Sequence, residues 1–199
     1  GLGVAFTKTS YKYKFVQSII KIAYNINSKI FKAQLIFQNQ EDKEEIGNDT
    51  KFLVVKGSAV NEDRFKPIFE NNPVLKNELT EKYQLSGDIT LIFVSRLLKQ
   101  KGLDYLVQAV KKINEEAEKK INLIIVGWID PSNPDSFSEE EIAEYSKIPN
   151  IAYLGKRTDV NQIIALADVA VLPTFYREGT PRFLLEAMAM AKPILTTDM

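Results

Sequence analysis

The hydrophobic pattern becomes regular at residue 89. Residues 89–95, Ile-Thr-Leu-Ile-Phe-Val-Ser, form a nearly continuous apolar run. Such a run suits a strand covered on both faces, as in a parallel sheet. The stretch 103–120 then places Leu103, Leu106, Val107, Val110 and Ile113 at helical spacing. The alternation continues with strands expected at 121–127, 151–155, 169–174 and 193–197, and helices at 138–148, 159–167 and 182–190. Ser138 is the expected N-cap of the helix at 138–148. Alternating elements of this length predict βαβ units and an α/β fold with a doubly wound parallel sheet, Rossmann-like in organisation.

The first half is less regular. Residues 14–31 place Phe15, Ile19, Ile22 and Ile26 on one helical stripe, with lysines on the other faces. A short strand at 33–39, a polar helix ending near Gly47 and a strand in 51–60 follow. Residues 73–85 read as a helix, and Ser86-Gly87-Asp88 breaks it. We place a boundary near residue 50. Residues 1–50 are expected to be the remnant of one domain, and 51–199 a second domain truncated at its C-terminal end. The first residue is Gly1, and the chain reads as a piece of a longer protein.

Composition narrows the chemistry. The chain has neither histidine nor cysteine, which removes the commonest general base, disulfides and thiolate metal sites. Catalysis would fall to carboxylates, cations, backbone dipoles or the substrate, and no metal site is expected. No apolar run approaches the ~18 residues of a membrane span. Charge is distributed unevenly: residues 1–40 hold six lysines and no acid, within a chain of net charge zero. The segment 8–32 is therefore either a solvated basic face or a contact for an anionic membrane or lipid-diphosphate acceptor. A nucleic-acid partner is not expected.

In open α/β sheets ligands bind beyond the C-terminal strand ends. Those ends deliver Arg96, Lys101 and Gly102; then Gly127, Trp128 and Asp130; then Lys156, Arg157 and Thr158; and finally Arg177, Glu178 and Gly179. Thr180 suits an N-cap and Pro181 a first helical position, where free N–H groups favour an anion. A diphosphate between Arg96, Lys101 and this helix start would be well served. Glu186 lies in an apolar run, where a charge is costly without a partner. A ribose diol offers two donors to its two oxygens, without calling on another charged side chain. Trp128 reads first as a packing residue and second as a stacking platform.

The stretches FVSRLLKQKGLDYLVQA, YLGKRTDVNQIIALADVAVLPTFYREGTPRFLLEAMAMAKPILTTD and GSAVNEDRF together resemble the donor half of family 4 glycosyltransferases of the GT-B architecture. The tail is similar to bacterial enzymes building lipid-linked or surface polysaccharides. The resemblance implies a hexosyltransferase moving a sugar from a UDP-sugar, with a GDP-sugar as second candidate, to a glycan or lipid-linked acceptor. It implies a retaining, metal-independent reaction without a cofactor, in the cytoplasm or peripherally on the inner membrane face. Arg96 and Lys101 would bind the donor diphosphate, Glu186 the ribose, and Glu178 the transferred sugar. Gly127, Arg157, Gly179 and Thr180 would line the nucleotide, with the loops at 127–131 and 155–158 around the base. Residues 1–50 would end the acceptor-side domain, so the chain alone is not expected to turn over. Three positions depart from the family pattern: Asn61 for Asp, Ala191 for Gly, and Gly-Trp-Ile-Asp-Pro for a glycine-rich loop.

Two other functions compete. An NAD-binding Rossmann domain would carry Gly-x-Gly-x-x-Gly after the 89–95 strand, and none is there. A non-catalytic nucleotide-binding module would have no need of Glu178. Each site residue also has a plain alternative: Arg96 and Lys101 as solvated loop charges, Glu178 as a turn residue, Glu186 as the partner of a nearby cation.

Overall fold

The computed structural model describes residues 6, 10–47, 49, 51–55, 59–67, 73–176 and 180–198. They form two compact units, the first running to Ala59 and taking in Thr180 and Pro181, the second running from Val60 to Tyr176 and resuming at Arg182. The division falls later than the boundary expected near residue 50, because the strand at Phe52–Val54 pairs with Leu35–Phe37 and stays in the first unit.

The first unit runs α1 (Tyr11–Lys29), β1 (Leu35–Phe37), α2 (Gln40–Ile46) and β2 (Phe52–Val54). Phe37, Ile46 and Phe52 form its small core, with the Phe37 and Phe52 rings 5.4 Å apart. α2 is capped by the Asn39 side chain, which accepts from Asp42 N–H, and it ends at Gly47 as its sequence predicts. α1 departs from an ordinary amphipathic helix. Its inward side is fixed by polar contacts: Ser28 Oγ donates to Asp49 at 2.7 Å, and Lys51 Nζ donates to the Ser28 carbonyl at 3.1 Å. Its apolar stripe faces outward, with Phe15, Ile19, Ile22 and Ile26 all exposed.

The second unit continues with α3 (Pro73–Lys82), β3 (Ile89–Val94), α4 (Leu103–Glu116), β4 (Ile121–Val126), α5 (Glu139–Ser146), β5 (Ile151–Tyr153), α6 (Val160–Leu166), β6 (Val169–Leu172), α7 (Arg182–Ala189) and β7 (Ile194–Thr196). Its five strands are parallel, in the order β5-β4-β3-β6-β7. Strands run outward from β3 to β5, then restart at β6 on the other side. That reversal sets a topological switch point between β3 and β6. Neighbouring strand residues point to opposite faces. Ile92 and Phe93 are both fully buried, so both faces of β3 are covered, as its unbroken apolar run predicts.

Local details agree with the caps. Ser138 and Glu141 form a reciprocal capping box at α5. α4 stops at Glu116, short of the Lys120 that its pattern suggested. Asn114 there turns its side chain to the Ile121 backbone, accepting at 2.7 Å and donating at 2.9 Å. Lys120 Nζ meanwhile donates to the carbonyls of Asn114 and Ala117 near that helix end.

Candidate functional site

The switch point is closed by direct backbone contact between the loops after β3 and β6. The Gln100 carbonyl accepts from Phe175 N at 3.1 Å and from the buried Thr174 Oγ1 at 3.2 Å. Gly102 has φ +79°, and a Cβ there would lie 2.0 Å from the Pro173 carbonyl oxygen. The β4 end is as tight: a Cβ on Gly127 would lie 1.9 Å from the Ser95 carbonyl oxygen. Glycine at these positions brings the loop backbones together without side chains between them.

Lys101 stands at this junction, just before α4, with Nζ 5.8 Å from the centroid of the Tyr176 ring. Burial, and secondarily the Arg96 guanidinium, lower its ammonium to about 8. Arg96 is exposed on the same loop and lies 3.7 Å from Asp130 of the loop after β4. The Arg96 charge thus stands close enough to lower the Lys101 ammonium, beside the start of α4, whose dipole is positive there.

Glu186 lies in the second turn of α7. Its carboxylate is only 12% exposed and accepts from Arg182 Nε at 3.0 Å. Burial raises its protonation above the ordinary carboxylate range, against the opposing charges of Arg182 and Arg64. This corrects one expectation: Glu186 does have a charged side-chain partner, one helical turn away. Arg64 was not singled out from sequence. Its guanidinium donates to the Thr158 carbonyl of the loop after β5, and it covers the Phe65 ring at 5.3 Å. The Asn61 side chain accepts from Arg64 N–H at 3.1 Å. Asn there supplies the same acceptor as Asp, so that departure is structurally neutral.

The other predicted residues divide. Arg157 is held in a two-point contact by Asp159, at 2.9 and 2.7 Å, and reaches Tyr83 Oη at 3.5 Å. Trp128 is 43% exposed, which corrects the packing reading. Gly127 N–H donates to the Gly155 carbonyl at 3.0 Å. Thr180 and Pro181 precede α7, which begins at Arg182 rather than Pro181. Glu178 and Gly179, with Arg177, lie outside the described residues. Among the described residues no cluster of three His, Cys, Asp or Glu side chains could hold a metal ion, and no helix is long and apolar enough to cross a membrane. The sequence signal for Arg182 was present in its i,i+4 relation to Glu186. Asp130 was placed on the binding edge by its strand end, without its Arg96 partner, and Asp159 was not singled out.

A five-stranded parallel sheet covered by helices, with Arg96 and Lys101 beyond the end of its central strand, is a Rossmann-like domain. The structure of Anabaena HepE in complex with UDP superposes with a TM-score of 0.72, at 20% identity, over 89% of this chain and 48% of that one. The profile of the glycosyl transferases group 1 matches residues 88–199, and the chain belongs to that family. A Campylobacter jejuni N,N'-diacetylbacillosaminyl-diphospho-undecaprenol alpha-1,3-N-acetylgalactosaminyltransferase is 29% identical over 100% of this chain and 50% of its own length. An Escherichia coli UDP-Gal:alpha-D-GlcNAc-diphosphoundecaprenol alpha-1,3-galactosyltransferase is 29% identical over 99% and 50%. The chain thus spans about half the length of these relatives.

Proposed function

We propose that the second unit is the donor half of a hexosyltransferase that takes a sugar from a UDP-sugar, or secondarily a GDP-sugar, to a glycan or lipid-linked acceptor. The observation that carries this is the half-buried Lys101 beside Arg96 at the switch point. In the reaction the bond between the sugar's anomeric carbon and the diphosphate oxygen breaks. Its electron pair stays on the diphosphate, and the acceptor hydroxyl oxygen forms the new bond and gives its proton to the departing diphosphate oxygen. Cations held at the departing oxygen lower that barrier, and losing one such group costs on the order of 10²–10³ in rate. Lys101 and Arg96 take this role, with no metal. Glu186 takes the ribose diol, exchanging its Arg182 contact for it. The retaining outcome, and the contact of Glu178 with the sugar, are carried over from the family resemblance.

The first unit then belongs to the acceptor side. Its outward apolar stripe on α1, with the exposed Lys12 and Lys14 at its start, supports contact with an anionic membrane on the cytoplasmic face. Cosedimentation with phosphatidylglycerol vesicles checks this. Lys12→Glu with Lys14→Glu should lower the bound fraction, and unchanged binding would remove the idea.

The test of the donor site is calorimetric titration of the folded chain with UDP, GDP, ADP and NAD, beside Glu186→Ala. Saturable binding of one nucleoside diphosphate, weakened in the variant, is the expected result. Binding of NAD alone would overturn it.

A further inference from the structure

Glu186 feels the charge of Arg182 and of Arg64, and these two cations are held very differently. Arg182, on the same helix, has a side chain that is 65% exposed. It can turn to solvent at little cost, because an exposed pair of this kind is weak. Arg64 comes from the segment at 59–67 and is fixed on several sides. Its backbone N–H donates to Asn61 Oδ1 at 3.1 Å, in a turn where Phe65 N–H donates to the Asn61 carbonyl at 2.9 Å. Phe65 is buried in the core of the second unit, and the Arg64 guanidinium lies over its ring. One arm of that guanidinium donates to the Thr158 carbonyl. From there its charge reaches Glu186. Burial raises the carboxyl above its ordinary range, and Arg182 followed by Arg64 opposes the rise. The strands on which α7 packs, β6 and β7, consist of uncharged residues.

We infer that Arg64 is a positioning residue of the donor site: anchored by Phe65 and Thr158, it is the cation that stays with Glu186 when a ribose diol takes the place of Arg182. The inference rests on the donor-site reading above. Two hydroxyl donors need an ionised carboxylate, with both oxygens accepting. Ribose binding removes the Arg182 hydrogen bond and more of the water around Glu186. Both changes favour the protonated acid. A fixed cation opposes them without having to move. A guanidinium suits both tasks here, since it stays charged and its fork holds Thr158 with one arm.

The chain is titrated calorimetrically with UDP, or GDP where only that binds, and with inorganic pyrophosphate. Wild type, Arg64→Met and Arg64→Lys are compared at pH 7.5 and pH 5.5. Each affinity is taken as a ratio to wild type at the same pH, so the titration of the ligand phosphates cancels. Arg64→Met should lose nucleotide affinity by about two- to threefold at pH 7.5 and by about tenfold at pH 5.5. Its pyrophosphate ratio should be the same at both pH values, since pyrophosphate brings no ribose. Arg64→Lys keeps the charge and should follow the wild-type pH dependence within about twofold. A merely structural Arg64 gives another pattern, in which both variants lose equally at both pH values and with both ligands. That pattern, or wild-type nucleotide affinity in Arg64→Met at pH 5.5, would overturn the inference and leave the donor site standing. No heat from either nucleoside diphosphate with the folded wild-type chain would overturn the donor-site reading, and this role with it.

Discussion

Arg182 Nε reaches Glu186 Oε1 at 3.0 Å across one turn of α7, and the two ends of this pair stand in different surroundings. The arginine side chain is 65% exposed, the glutamate 12%. An exposed i,i+4 pair contributes only a few tenths of a kcal/mol, so Arg182 offsets little of what burial costs the carboxylate. A buried acid held by a weak partner is open to a better one.

Glu186→Gln should therefore stabilise the chain at pH 7 while weakening UDP binding. The sign follows from linkage. The folded carboxyl holds its proton to a higher pH than the unfolded one. Its stabilising contribution is present in acid and is lost as pH rises through the folded value. At neutral pH the charged form is a burden that Gln removes. Melting should rise by about 1–3 °C, and the rise should shrink as pH falls below the carboxylate range. Parallel thermal melts and UDP titrations check both halves.

Lys101 gives the opposite pH signature. Its ammonium titrates at about 8 in the free chain, because burial, followed by Arg96, disfavours the charge. A bound diphosphate favours the charged form, so binding takes up a proton above that pH. UDP affinity should be flat from pH 6 to 7.5 and should fall above 8, by at most about tenfold per pH unit. Lys101→Arg should abolish the slope, since guanidinium does not titrate there. Calorimetry in buffers of differing ionisation heat would count the proton directly.

Gly102→Ala and Gly127→Ala test the closeness of the loops. Each new Cβ would lie about 2 Å from a backbone oxygen, of Pro173 and Ser95 respectively. Neither oxygen belongs to a flexible side chain. Overpacking of this kind costs about 1–3 kcal/mol, and Gly102 adds roughly 1–2 kcal/mol for its left-handed φ. Urea unfolding should show lower midpoints for both variants, with Gly102→Ala the lower.

Ala191→Gly should stabilise. Ala191 sits at φ +56°, just beyond α7. Lys192 N–H donates to the Ala187 carbonyl at 3.0 Å, and Ala191 N–H to that of Met188 at 2.9 Å. These are the two bonds of a Schellman cap, whose left-handed position favours glycine. The gain should be about 0.5–1 kcal/mol in denaturant unfolding, with α7 and UDP binding unchanged.

The second unit was legible because its signals are local. Unbroken apolar runs require two covered faces, and each helix carries its own period and cap, as Ser138 and Glu141 show. Strand ends could therefore be read in order, and Arg96, Lys101, Gly127 and Trp128 fell on the binding edge. Tertiary structure decided which of these groups meet. Arg157 is occupied by Asp159 two residues away, whereas Lys101 is half-buried over the Tyr176 ring, within reach of the Arg96 charge. Nothing in the residues around Trp128 announced that its ring faces outward beneath Lys156. Nor did the helical stripe of α1 announce which way it points. Periodicity groups the apolar residues on one side, but the hydrogen bonds of Ser28 and Lys51 hold the polar side inward. Secondary structure depends on neighbours a few residues apart in the chain. Pairing of charges, burial of a cation and the exposure of a ring depend on packing between segments distant in sequence, and only the fold brings those together.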